Sequence, residues 1–165
     1  MDIEEFSEKF GDKMAEMKAY LEGGDVRELM AGLAIEHFRD SFHREGFVDK
    51  AVNPWQEVKR RQPDSPWYGH SGQTGKYSQA RTTAPILSGE TGHLSNAFEY
   101  IPTERGVMIR NTAPYAAVHQ YGLPAKVYGK TPFRMPKRPF MGRSEVLSGE
   151  IREEIIRDLI AIIKR

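Results

Sequence analysis

The sequence predicts an α+β fold, with helices first, antiparallel strands in the middle and one helix last. Three observations carry this prediction. Apolar residues recur at helical spacing from Ile3 to Phe42, and again from Leu147 to Ile163. Between them, short runs alternate apolar with polar residues and are punctuated by Gly and Pro.

The elements follow in order. Ile3, Phe6, Phe10, Met14, Met17 and Leu21 fall on one narrow helical stripe, which Gly23 and Gly24 end. Asp25 is expected to cap a second helix running to about Phe42. That helix is two-sided: Val26, Leu29, Met30 and Leu33 lie on one side, with Ile35, Phe38 and Phe42 nearly opposite. Such a helix needs two neighbours, one of them this chain's own sheet and the other the first helix or another subunit. Glu45-Gly46-Phe47 closes the helical segment 1–45, and Pro54-Trp55 opens a short piece ending in Lys59-Arg60-Arg61.

From Gln62 to Thr83 the composition turns to Pro, Ser, Gly, Gln and Thr, so a long loop is expected, mobile or ordering on assembly. Ala97 to Ile101 and Val107 to Arg110 read as two arms of a hairpin around the turn Pro102 to Gly106. Tyr115 to Tyr121 is a short helix stopped by Gly122. Val127-Tyr128 and Phe133 to Met135 are edge-like strand candidates among prolines. Ser144 caps the last helix, whose Leu147, Ile151, Ile155, Leu159 and Ile162 stripe is widened by Ile156, Ile160 and Ile163, making it the strongest expected core helix.

A chain of 165 residues suits a single domain. It has no cysteine, which excludes disulfides and thiolate metal sites and fits a reducing compartment. No apolar run is long enough to span a membrane, and the acidic start DIEEF is unlike a signal peptide, so a soluble, intracellularly made protein is expected. The net charge of +1 hides a division. Residues 1–50 carry 13 Asp/Glu against 7 Lys/Arg, net −6, whereas residues 51–143 carry 5 against 13, net +8. Copies stacking through complementary faces, a face turned to nucleic acid, or neutralisation within one fold would each use that separation.

The segment Ala113 to Arg143 organises the rest. Tyr115, His119 and Tyr121 share the short helix, and Pro136 and Pro139 hold an extended arm that should present Phe133 to Phe140 outward. His119 has no Asp, Glu, Cys or Ser within five residues to orient it or be activated by it. Lys126, Lys130, Arg134, Lys137, Arg138 and Arg143 interleave with Tyr128, Phe133 and Phe140 in one basic-aromatic patch. Phosphates of nucleic acid, acidic helices of a neighbouring protein, or plain solvent around buried Phe rings could face it.

Other candidate chemistry is weaker. His37, Asp40 and His43 lack the i,i+4 spacing of a helical metal site. Glu90 and His93 fit a turn capped by its own side chains. Ser71 to Lys76 has the wrong glycine spacing for a phosphate loop, and Gly-x-Ser-x-Gly is absent. No catalytic residue, metal or cofactor is expected.

The chain resembles the virion morphogenesis or tail completion proteins of Mu- and P2-like tailed phages, related to siphophage neck proteins. The residues that carry the resemblance are Phe38 to Phe47 with Trp55, Pro85-Ile86-Leu87 with Thr91-Gly92-His93-Leu94, Tyr115-Ala116 through His119-Gln120 to Gly122, and Pro136 to Gly142. It implies N-terminal helices and a C-terminal helix packed on a small antiparallel sheet. It further implies a non-enzymatic structural protein of the virion neck or tail, assembled in the bacterial cytoplasm, forming a ring with itself and meeting neck or tail proteins, with no membrane contact. The expected interaction residues are Phe38, Phe42, Tyr115, His119, Tyr121, Arg134, Arg138, Phe140 and Arg143. The helix from Asp25 to Phe42 and the arm around Phe140 are the two surfaces nominated for a head-to-tail contact. On that basis Phe140→Ala or Arg138→Ala should leave the chain folded and stop assembly. The alternative is a DNA-binding module that uses residues 126–143.

Overall fold

The computed structural model describes residues 2–72, 74–127 and 129–165. Helix α1 (Ile3–Glu22) is capped by Asp2, whose carboxylate accepts the Glu5 N–H at 2.8 Å. Helix α2 (Gly24–His43) starts one residue after the hinge Gly23. Asp25, expected as its cap, lies inside the first turn instead. The chain turns the corner on Gly23 alone, whose missing side chain leaves room for the Ala19 carbonyl, 3.0 Å from where a Cβ would be.

α2 is the centre of the molecule. It buries Val26, Ala31, Ala34, Phe38 and Phe42. It packs on the hairpin β1 (Gly46–Val48) with β2 (Val52–Pro54), on the hairpin β3 (Phe98–Thr103) with β4 (Gly106–Asn111), and on the C-terminal helix α5 (Glu145–Lys164). Its two apolar sides are therefore covered from within one chain. A third hairpin, β5 (Pro124–Val127) with β6 (Thr131–Arg134), sets Ala125 opposite Phe133. The fold is α+β and its strands pair antiparallel, divided over three two-stranded sheets. Pro102, Pro124 and Pro132 lie within these strands and remove ladder donors, which keeps the hairpins short.

Phe42 is the hub of the core. Its ring lies 5.5 Å from Trp55, 6.2 Å from Phe98 and 5.2 Å from Phe140 by centroid. Ile86, Leu94 from the short helix α3 (His93–Asn96), and Leu147 close the cluster. Arg61 grips Glu45 through both guanidinium nitrogens, at 2.7 and 2.9 Å, and also holds Glu57. The same Glu45 accepts the Ile86 N–H at 2.8 Å. Neighbouring Arg60 donates to the carbonyls of Arg81, Ala84 and Pro85, so the two arginines tie the segment around residues 81–86 to the end of α2.

Ser144 caps α5 by accepting the Leu147 N–H, and Asp49 reinforces the cap by accepting from the Ser144 hydroxyl and the N–H groups of Glu145 and Val146. α5 is not the strongest core helix. Only Leu147 and Ile162 are buried on it, while Ile156, Ile160 and Ile163 stay exposed, because α2 already occupies the middle of the core. α1 runs antiparallel to α5: the Tyr20 hydroxyl donates to Asp158 at 2.6 Å, and Glu16 faces Arg165 at 3.6 Å. The part of α1 before Glu16 therefore passes beyond the end of α5, and every residue from 2 to 12 is exposed. Among the described residues no helix is long and apolar enough to cross a membrane.

Candidate functional site

The segment from Ala113 to Arg143 is held by its backbone and by one glutamine. Helix α4 (Ala116–Tyr121) ends at Gly122, which adopts left-handed geometry with φ 65. A Cβ there would sit 3.0 Å from both the Met135 carbonyl and Lys137, so conformation and space each require glycine. The proline-fixed arm lies back along α4: Met135 N–H donates to the Leu123 carbonyl and Arg138 N–H to that of His119. Gln120 clamps its end, accepting from the N–H groups of Phe140 and Met141 and donating to the Met141 carbonyl.

This clamp decides which expected interaction residues can meet a partner. Phe140 is 1% exposed, its ring tilted against Phe42 and edge-on to Phe98. Phe38 and Phe42 are core residues as well. Arg138 is buried, with its guanidinium donating twice to the Gln56 carbonyl, and Trp55 donates to the Pro139 carbonyl at 2.7 Å. Expecting these four as docking residues was wrong for a physical reason. The two surfaces nominated to join copies, the α2 face and the arm around Phe140, pack on each other inside one chain. Phe140→Ala and Arg138→Ala should therefore damage the fold itself.

Tyr115, Tyr121, Arg134 and Arg143 remain exposed, Tyr121 at 63%. With them lie Leu123, Phe133, Lys126, Lys130 and Lys137, all exposed. Tyr128, read as part of the patch and of a strand, lies outside the described residues. Residues 124–143 contain six Lys/Arg and no Asp or Glu. The surface that survives is thus the β5–β6 hairpin and the end of α4, aromatic on some positions and cationic on others.

His119 is half-buried at the side of the arm. Its Nδ1 is buried with no hydrogen-bond partner, Tyr115 meets its ring edge-on, and burial beside Arg138 pushes its pKa down to about 4. At pH 7 it is neutral. The other candidates are also engaged structurally. His37 bonds the Val48 carbonyl at 3.0 Å, and Asp40 pairs with Arg44. Glu90, expected to cap its own turn, instead takes the Ser71 hydroxyl and pairs with Arg81. Ser71 to Lys76 closes on itself through the Ser71 N–H to the Lys76 carbonyl and the Gly75 N–H to the Ser71 carbonyl; Gln73 within it lies outside the described residues. Among the described residues no group of three or more His, Cys, Asp or Glu is placed to hold a metal ion.

Sequence reasoning missed Gln120 and the Arg61 fork, since neither has a spacing signal: their partners are about 20 and 16 residues away. The α1 stripe, legible as a stripe in the sequence, buries no residue.

A model of the phage virion morphogenesis family matches residues 55–160, a stretch that includes the whole of the clamped segment. No curated protein and no solved structure matches the chain.

Proposed function

The chain belongs to the phage virion morphogenesis family, and on that premise we propose that it is a non-enzymatic structural protein that completes the tail or joins it to the head at the neck. In this reading it works as a ring of identical copies, is made in the bacterial cytoplasm and resides in the virion neck or tail. Its partners are itself and neighbouring neck or tail proteins, and it uses no cofactor.

The observation that carries the reading is the family match over residues 55–160. The chemistry of the segment agrees with it: His119 is half-buried and neutral, with its buried Nδ1 unpartnered, while the segment's surface offers Tyr121, Leu123 and Phe133 among cations. Such a surface suits holding a partner better than activating a water or a nucleophile. The test is deletion of the gene from a phage or prophage that produces particles. Separate heads and unfinished tails, restored to infectious particles by supplying the chain in trans, are expected; normal yields of joined particles after deletion would remove the reading.

Contact with DNA is the second reading, favoured by the run of six cations without an acid between residues 124 and 143. Affinity for random duplex DNA that is measurable at low salt and falls steeply as salt rises supports it, and absence of binding at low salt eliminates it.

A further inference from the structure

Each hairpin leaves both its strands with an outer edge that has no neighbouring strand, and a bare edge is a template for another chain. In an antiparallel pair alternate residues turn their N–H and C=O groups inward, and the rest turn them out. The bond from the Thr112 N–H to the Ala97 carbonyl, 2.8 Å, sets that alternation in β3–β4: Phe98, Tyr100 and Pro102 face out on β3, and Val107, Ile109 and Asn111 on β4. By the same rule the Trp55 N–H bond to the Glu45 carbonyl turns Pro54 outward on β2, and the Met135 N–H bond to that of Leu123 turns out Pro124 on β5 and Pro132 on β6. The donors these prolines remove are therefore those of the outer edges, which guards four of the six strands against addition. On β1 the Val48 carbonyl is taken by His37. β4 has no such guard, and among the described residues nothing bonds the outward N–H and C=O groups of Val107, Ile109 and Asn111.

The packing beneath β4 selects what can add to it. Val107 and Ile109 share a face with Phe98, which is buried against Phe38 of α2. On that face they are half-buried while Tyr100 and Pro102 are exposed, so α2 runs beneath β4 rather than β3. A second copy could offer its own β4, but antiparallel strands lie about 4.8 Å apart and the twofold axis keeps both α2 helices on one side. Those helices would meet at much the same separation, well inside the roughly 8–10 Å that packed helices need. A parallel pair in register sets outward groups level with each other, where a parallel ladder needs them to alternate. An extended segment with no helix beneath it meets neither obstacle. Its side chains on the α2 side would continue the apolar strip of Val107 and Ile109, and an acid on the other side would stand opposite Arg110, exposed beside Met108.

We propose that the outer edge of β4 is a strand-addition site, taking as a third antiparallel strand an extended, proline-free segment of a partner protein, with apolar residues alternating toward α2 and an acid opposite Arg110. The inference goes beyond the ring reading and does not rest on it, since a ring of copies needs other surfaces.

Amide hydrogen exchange of the full chain is followed by NMR, alone and with a synthetic peptide of about eight residues that alternates Val with Thr and has Glu in place of one Thr. Alone, the amides of Met108 and Arg110 should exchange slowly and those of Val107, Ile109 and Asn111 faster, at any chain concentration. Peptide at about ten times its Kd should slow those three roughly tenfold and leave Phe98 and Tyr100 unchanged. The same peptide N-methylated at each Val, whose N–H groups would face β4, should have no effect. Val107→Pro, checked for a native circular-dichroism spectrum, should lose the peptide's protection of Ile109 and Asn111.

No slowing up to millimolar peptide, or equal slowing by the methylated peptide, would overturn the proposal. So would undiminished protection in a natively folded Val107→Pro; should that variant unfold, the methylated peptide decides alone. Protection of β4 that rises with chain concentration in the absence of peptide would place a second copy on the edge and overturn it as well.

Discussion

At the scale of single residues, two half-buried groups divide the acid response of this protein. The imidazole of His119 is pushed down from 6.5 to about 4 by burial beside Arg138, so the unfolded chain takes up a proton there before the folded one does. The stability it contributes is complete above pH 6.5 and is lost as pH falls toward 4. Glu45 is held below its usual 4.5 mainly by its hydrogen bonds from Arg61, so its contribution is complete above 4.5 and disappears only at more acid pH. Urea denaturation across pH should therefore show a first decline between 6.5 and 4 that His119→Gln flattens. A second decline, below 4.5, should be flattened by Glu45→Gln; a first decline unchanged by His119→Gln would mean the imidazole is not desolvated. Phe140 is a different kind of residue, a packed ring with neighbours on every side. Phe140→Ala should cost about 3–5 kcal/mol, read as a lowered denaturation midpoint, since a cavity is left at the hub of the aromatic cluster.

At the scale of elements, the helix α4 and its arm depend on one backbone position. Gly122→Ala forces a side chain into left-handed geometry and against the Met135 carbonyl, and should cost about 1–3 kcal/mol in denaturant unfolding while leaving helix content nearly unchanged. Gly122 was legible in the sequence because helix stops follow local rules, as did the Ser144 cap and the β3–β4 hairpin. The identity of the core helix was not. α2 and α5 both show apolar stripes, and periodicity reports that a face is apolar without saying what covers it. For the same reason Phe38, Phe42 and Phe140 looked like docking residues. Phe42 and Phe140 are 98 residues apart in sequence, and only the folded chain shows that each satisfies the other. Tyr121, Arg134 and Arg143 are exposed, since the stretch around them carries many cations and little apolar area to bury.

At the scale of the whole molecule, the separation of charge matters more than its sum. The first 50 residues carry −6 and residues 51–143 carry +8, so a chain with net charge +1 has an acidic and a basic region. Within one copy these charges contribute little, because the core is aromatic and the ion pairs on α1 are exposed. Between copies, on the ring reading proposed above, they would act at the moment of approach, when the acidic region of one chain nears the basic region of another. Screening shortens that attraction to about 8 Å at physiological salt and to about 4 Å at half-molar. Raising salt from about 0.05 to about 0.5 M should therefore slow and weaken self-association several-fold while the thermal midpoint of each copy barely moves. The two readouts separate by location: burial secures the fold, and on the ring reading charge guides the approach of copies. Parallel losses in both would place the charged groups inside the folding core, and association that strengthens with salt would leave apolar contact acting without electrostatic guidance.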